Sequence, residues 1–350
     1  MTTQTAWTPD SLSTWRTFVA YRAERPDPLS VKERDSLTPL LRERYDDARI
    51  EFVNAPIVLP TPDLERLIRE SKIVTGLNRG AQFTARQALA VSGSQTLGKS
   101  TAAMYLGRTH EDHERAKHSR EDDQAFAPVL YVSAPPQTSP KGLMMRFAST
   151  LGLPLRARST TDQVMDQVVD TLRELGTTMV ILDEVQHLKT RAQAGMEAAS
   201  ALKSFSERVP ATFLYVGVDL PQSDFLGGAM GAQMQGRTTM IQMQPYSIGS
   251  AAHRKEWEKV IALFEREFPL AEHEVGALMD EAAWLHAVTG GVIGSLRTLL
   301  RKAQIAAIID GREHLDRAAL EPILPDYRAD LARERKERAK AERPRKEASA

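Results

Sequence analysis

The sequence predicts an α/β protein: a five-stranded parallel sheet with covering helices, a helical extension before it and a helical lid after it. Three observations carry this. Five short apolar runs, at 88–91, 129–132, 179–182, 213–216 and 240–243, are spread along the middle of the chain. Helical patterns lie between most of them, as the crossovers of a parallel sheet buried on both faces require. After Pro245 the strand-like runs stop and only helical periodicity follows. The chain therefore divides into an extension (1–72), an α/β core (73–247), a lid (248–325) and a charged tail (326–350).

In the extension, Leu12, Trp15, Phe18 and Val19 recur at helical spacing behind the capping sequence Thr8-Pro9-Asp10-Ser11. A second helix is predicted from Val31 to Ile50, opened by Ser30 with Glu33 as its capping-box partner. Prolines at 56, 60 and 62 forbid its continuation, and a helix resumes over 63–72. In the lid, helices are predicted over 250–268, 273–286, 293–309 and 316–324. The tail has little apolar face to bury and reads as a solvated helix or an unstructured segment.

Composition bounds the function. The chain has 350 residues, 42% of them hydrophobic, which is ample for a core, and zero formal net charge. No global positive field announces a nucleic-acid partner, so any DNA contact must come from a local patch. With no cysteine, disulfides, thiolate catalysis and zinc–thiolate sites are excluded. The N-terminus lacks the order of a signal peptide, and no apolar run approaches the roughly 20 residues of a membrane span. The expectation is a soluble, cytoplasmic protein.

The first chemical motif is Gly93-Ser94-Gln95-Thr96-Leu97-Gly98-Lys99-Ser100, followed by Thr101. A strand-like run precedes it and a helical run follows, the context of a phosphate-binding loop. Glycines let backbone N–H groups turn towards phosphates, and a helix N-terminus adds a favourable dipole. Lys99 would reach the β- and γ-phosphates of ATP, and Ser100 would ligate Mg2+. The second motif is the apolar run 179–182 ending in Asp183-Glu184. Ligands of parallel sheets bind at that end of the strands. Asp183 can hold the magnesium water shell, and Glu184 can deprotonate an attacking water. Together they indicate hydrolysis of a nucleoside triphosphate.

With these motifs the chain resembles the AAA+ ATPases, whose sheet the five runs fit. The resemblance implies three further elements. A polar sensor ends the fourth strand, where Asp219 stands in place of the usual Asn or Thr; it could equally cap the next helix. An arginine before the fifth strand reaches the neighbouring subunit's nucleotide; Arg237 is the candidate, with an ordinary surface arginine as the alternative. A second sensor opens a lid helix; Arg297 is the candidate, with a solvated helix face as the alternative. The histidines of the run 110–118 read as a solvent-facing helix extension, not as a metal site.

Within AAA+ the chain looks like the TniB/TnsC branch of DNA-transposition ATPases. The resemblance rests on the stretch from Arg49 to Pro62, on VLYVSAPPQTSPKGLMMRFASTLG, ILDEVQHL and LYVGVD, and on TGGVIGSLRTLLRKAQIAAI. It implies ATP binding and assembly into rings or filaments on double-stranded DNA. It also implies recruitment of a DDE-type transposase, with a TniQ-type adaptor as a further partner, and disassembly on hydrolysis. Thr138, Ser139, Lys141 and Arg146 lie near a predicted helix start and could touch phosphates without reading sequence. Two other readings remain open: an initiator- or loader-type DNA ATPase, and a nucleotide-switched scaffold that binds only proteins.

Overall fold

The computed structural model describes residues 9–81, 84–136, 139–154, 158–188, 193–222 and 234–323, with backbone alone for 193–196. Thr138 and the tail 326–350 lie outside the described residues. The five apolar runs form β1 (Ala88–Ser92), β2 (Val129–Ser133), β3 (Met179–Asp183), β4 (Thr212–Gly217) and β5 (Thr238–Gln242). They pair in parallel in the order β2-β3-β4-β1-β5. Every residue of β3 and β4 is buried, as expected where helices cover both faces. The edge strand β5 starts two residues before the apolar run predicts. Thr238 and Thr239 pair with Ala88 and Leu89, and β-branched threonine suits a half-exposed pleat.

The helices before β5 are α1 (Leu12–Ala20), α2 (Val31–Asp35), α3 (Pro39–Asn54), α4 (Pro62–Arg79), α5 (Lys99–Lys117), α6 (Pro140–Thr150), α7 (Thr161–Glu174) and α8 (Gln193–Arg208). After it come α9 (Ala251–Glu265), α10 (Ala282–Thr289), α11 (Ile293–Asp310) and α12 (Arg317–Leu320). Two predicted helices are corrected. The single helix over 31–50 is two, because Pro39 disfavours helical backbone at Thr38 and starts α3 itself. The helix predicted from His273 begins only at Ala282. The buried Glu265 carboxylate holds the preceding turns by accepting from Gly276 N–H (2.9 Å) and Leu278 N–H (2.8 Å), beside His273 Nε2 at 3.1 Å.

The chain forms two compact units. The first contains α1, α4 from Asp63 onward, α5 to α8 and the sheet; the second contains α2, α3, the short stretch Thr96–Gly98 and α9 to α12. The extension is thus divided between the two. In the first unit α1 is fixed by Trp15, which is 1% exposed. Its indole stacks on Tyr131 at 5.8 Å, and Nε1 donates to Glu111 Oε2 at 2.5 Å. Gly107 of α5 makes the room: a Cβ there would lie 2.8 Å from the indole and 2.7 Å from Ile181. In the second unit Val53 of α3 joins Trp257, Leu296 and Leu300 in one apolar cluster. Arg49 is buried beside it, donating to both oxygens of Glu313 at 3.0 and 2.8 Å. A buried charge needs such a partner, so α3 is held in register by charge as well as by packing.

Candidate nucleotide site

The site grows from the carboxyl ends of the strands in the first unit. β1 ends at Ser92 and the chain turns through Gly93 (φ 156°) and Thr96 (φ 63°) to Gly98 (φ 82°), a conformation open to glycine. Leu97 is buried and anchors the turn. α5 begins at once with Lys99, so its first N–H groups have no partner inside the helix. Lys99 is 8% exposed, and its ammonium donates to the Ser94 carbonyl at 2.7 Å. The amine therefore lies folded over the loop, where an anionic phosphate competes well with a neutral carbonyl.

β3 delivers the carboxylates. Asp183 is 3% exposed and both its oxygens are engaged. Tyr131 of β2 donates its hydroxyl to Oδ2 at 2.6 Å, and the N–H of Glu184 donates to Oδ1 at 2.7 Å. Burial, then the adjacent carboxylate, pushes the Tyr131 phenol well above its usual range, so it stays a donor at any physiological pH. Each Asp183 oxygen keeps a free lone pair. With the Ser100 hydroxyl this is an all-oxygen donor set, which fits a hard cation such as Mg2+ that retains waters.

Glu184 adopts a left-handed backbone (φ 59°, ψ 34°), uncommon for a residue other than glycine. Its side chain accepts from the Gln186 amide nitrogen. Gln186 Oε1 in turn accepts from Val218 N–H at 3.0 Å, just beyond β4. Ser92 Oγ accepts from Leu220 N–H at 2.9 Å. Side-chain hydrogen bonds thus join the ends of β1, β3 and β4. On the other side Ala134 N–H donates to the Asp183 carbonyl (2.8 Å), and His187 Nδ1 lies 3.0 Å from the Ala134 carbonyl.

Asp219 is exposed, with φ 47°. Arg237 precedes β5, at the opposite end of the strand from the phosphate loop, and its half-exposed guanidinium is 3.8 Å from Glu207. Five residues of strand separate it from the loop edge, about 16 Å at the usual rise. In the second unit Arg297 is not on a solvated face: its guanidinium donates to the Ala55 carbonyl at 3.0 Å, and burial, then Arg301, lowers its pKa. There too Gly294 N–H, in the first turn of α11, donates to the Thr96 carbonyl at 3.1 Å. Lys141 and Arg146 are partly exposed on α6, which Ser139 caps through Gly142 N–H at 3.1 Å. The solvent-facing reading of the histidine run fails for His110, whose Nε2 is 2.8 Å from Thr178 Oγ1 and whose pKa burial lowers to about 4. No metal-holding cluster of three or more His, Asp or Glu occurs among the described residues. Nor is any described helix long and apolar enough to cross a membrane.

Sequence reasoning missed Tyr131 and Gln186. The signals were faint: a tyrosine inside an apolar strand, and an amide two residues after the acidic pair.

The family model described as "Bacterial TniB protein" matches residues 49–246, more than half of the chain and all of the motifs on the sheet. No curated protein matches the chain. Among solved structures, the ORC2 protein of Aeropyrum pernix, in ADPNP and ADP complexes, is similar with TM-score 0.57 and 15% identity. That match covers 80% of this chain and 73% of the other. The ORC1 protein of Aeropyrum pernix, in complex with DNA, gives 0.52 and 15%, covering 79% of this chain and 66% of that one, just under two thirds. CDC6P from Pyrobaculum aerophilum gives 0.51 and 18%, covering 78% and 70%. At these identities the likeness is one of fold, the P-loop AAA+ fold.

Proposed function

Because the chain belongs to the bacterial TniB family, we propose that it is a Mg2+-dependent ATPase that assembles on double-stranded DNA while it holds ATP. In that form it recruits or regulates a DDE-type transposase, with a TniQ-type adaptor as a further partner. The observation that carries the reading is the pairing of Lys99 and its loop at the end of β1 with Asp183-Glu184 at the end of β3, in a chain of this family.

The chemistry follows from the residues. Loop amides and Lys99 bind the β- and γ-phosphates. Ser100 and Asp183 would hold Mg2+, which would neutralise phosphate charge. Glu184 accepts a proton from the attacking water as its oxygen bonds the γ-phosphorus. The bond from that phosphorus to the bridging oxygen breaks, releasing ADP and phosphate. Arg237 lies too far from its own loop to act there, so it serves the nucleotide of a neighbouring copy. Asp219 and Arg297 are the sensors of the nucleotide, and Thr138, Lys141 and Arg146 contact the DNA backbone. Such contacts are weak singly, and repetition around an oligomer multiplies them.

The likeness of fold to the DNA-complexed ORC1 protein favours a second reading, an initiator- or loader-type ATPase that acts on DNA without a transposase. The test is electron microscopy with a duplex of arbitrary sequence in ATP, a non-hydrolysable analogue and ADP. Pull-down with a DDE-type transposase accompanies it. Rings or filaments only with triphosphate and DNA, and capture of the transposase, support the first reading. Assembly without capture supports the second. No DNA-dependent assembly in any state refutes both and leaves a protein-only switch.

A further inference from the structure

We propose that Gln186 is the positioning residue for the hydrolytic base Glu184, tying its carboxylate to the end of β4. The inference rests on the ATPase reading and deepens it.

A glutamate side chain has three rotatable bonds, and a base must sit within hydrogen-bond reach of the proton it takes. Glu184 stands on a left-handed residue at the start of a single 3-10 turn, 185–187. Its carboxylate accepts from Gln186 Nε2, and Gln186 is itself fixed through Val218 N–H at 3.0 Å. That second bond also decides the amide's orientation. A backbone N–H must face an oxygen, so Oε1 points to Val218 and the NH2 group is left facing Glu184. The amide is therefore a one-way link between a donor just beyond β4 and an acceptor on the base.

Gly217 supplies independent support. A Cβ at this position would lie 2.6 Å from Gln186 Oε1 and 2.6 Å from Leu220 Cδ2. Its φ is not positive, so the need for glycine is one of space, and the space is filled by the Gln186 amide. Asp219, by contrast, is exposed and left-handed, and the bonds to the strand-end cluster come from the N–H groups of its neighbours Val218 and Leu220.

Gln186→Glu separates anchor from link. It keeps an oxygen for Val218 N–H but replaces the NH2 donor with a second carboxylate oxygen facing Glu184. The experiment measures ATP turnover and binding of a non-hydrolysable analogue by the full chain with Mg2+ and duplex DNA, and records thermal unfolding of each variant. Gln186→Glu is expected to lower kcat by about 10²-fold, the scale of a misplaced group, with KM and analogue affinity changed less than about threefold. Gly217→Ala, which evicts the amide without removing it, should show the same split. Combining Gln186→Glu with Glu184→Gln should add no further loss to that of Glu184→Gln alone. Wild-type-like kcat in a folded Gln186→Glu variant, or equal losses in kcat and affinity, would each overturn the inference. Gln186→Ala replaces the glutamate variant if the latter does not fold. Absence of turnover in the wild-type chain would overturn the ATPase reading, and the inference with it; the two failures are thus distinguishable.

Discussion

Tyr131 of β2 donates its hydroxyl to Asp183 of β3 across neighbouring strands at 2.6 Å, while its ring carries the indole of Trp15. One side chain thus joins the packing of α1 to the orientation of an acidic site residue. Tyr131→Phe keeps the ring and removes the donor, leaving Asp183 Oδ2 buried without it. Unfolding in urea without nucleotide should show a loss of about 1–3 kcal/mol. An unchanged midpoint would mean that this hydrogen bond contributes nothing net.

Lys99→Ala should abolish ATP binding measured by calorimetry, since no other side chain on the loop carries a charge to the phosphates. Binding as tight as in the wild type would show that the loop amides suffice.

Glu184→Gln should bind ATP with near-normal affinity and lose about 10²-fold or more in turnover, because an amide cannot accept the water proton. Assemblies formed with ATP should persist in microscopy where wild-type ones disperse. Normal hydrolysis in this variant would remove Glu184 as the base.

Arg237→Ala should leave ATP binding intact and reduce turnover by about 10³-fold under assembling conditions, the scale of an arginine acting across an interface. Mixing it with Lys99→Ala should restore part of the activity, since one copy then supplies the loop and the other the arginine. No complementation would speak against action in trans.

His110 gives a pH prediction. Burial lowers its pKa from 6.5 to about 4 in the folded chain, so between those values the unfolded chain binds more protons. Stability is therefore lost as pH falls from 6.5 towards 4, by at most about 3 kcal/mol from this group. His110→Gln should flatten that part of the stability profile. An unaltered acid slope would show that other groups set it.

The order of elements and the nucleotide motifs were legible because both are local. Apolar runs bounded by turns mark strands whatever surrounds them, and Gly93 to Ser100 announces its loop by spacing alone. Boundaries failed where a distant group intervened. The turns before α10 depend on the Glu265 carboxylate, and β5 begins at Thr238 because Ala88 and Leu89 pair with its threonines. The extension read as one segment because proline punctuation says nothing about which body each helix packs against.

By itself, the sequence determined the α/β class, the glycine-rich turn between β1 and α5 and the Asp183-Glu184 pair at the end of β3, since each is written in a few contiguous residues. Only the tertiary structure decided that Tyr131 holds Asp183, that Gln186 reaches from Glu184 to β4, and that Arg297 faces Ala55. Those contacts join residues from separate strands and helices. Strand order and packing bring such residues within hydrogen-bond range, and neither is encoded at any one position along the chain.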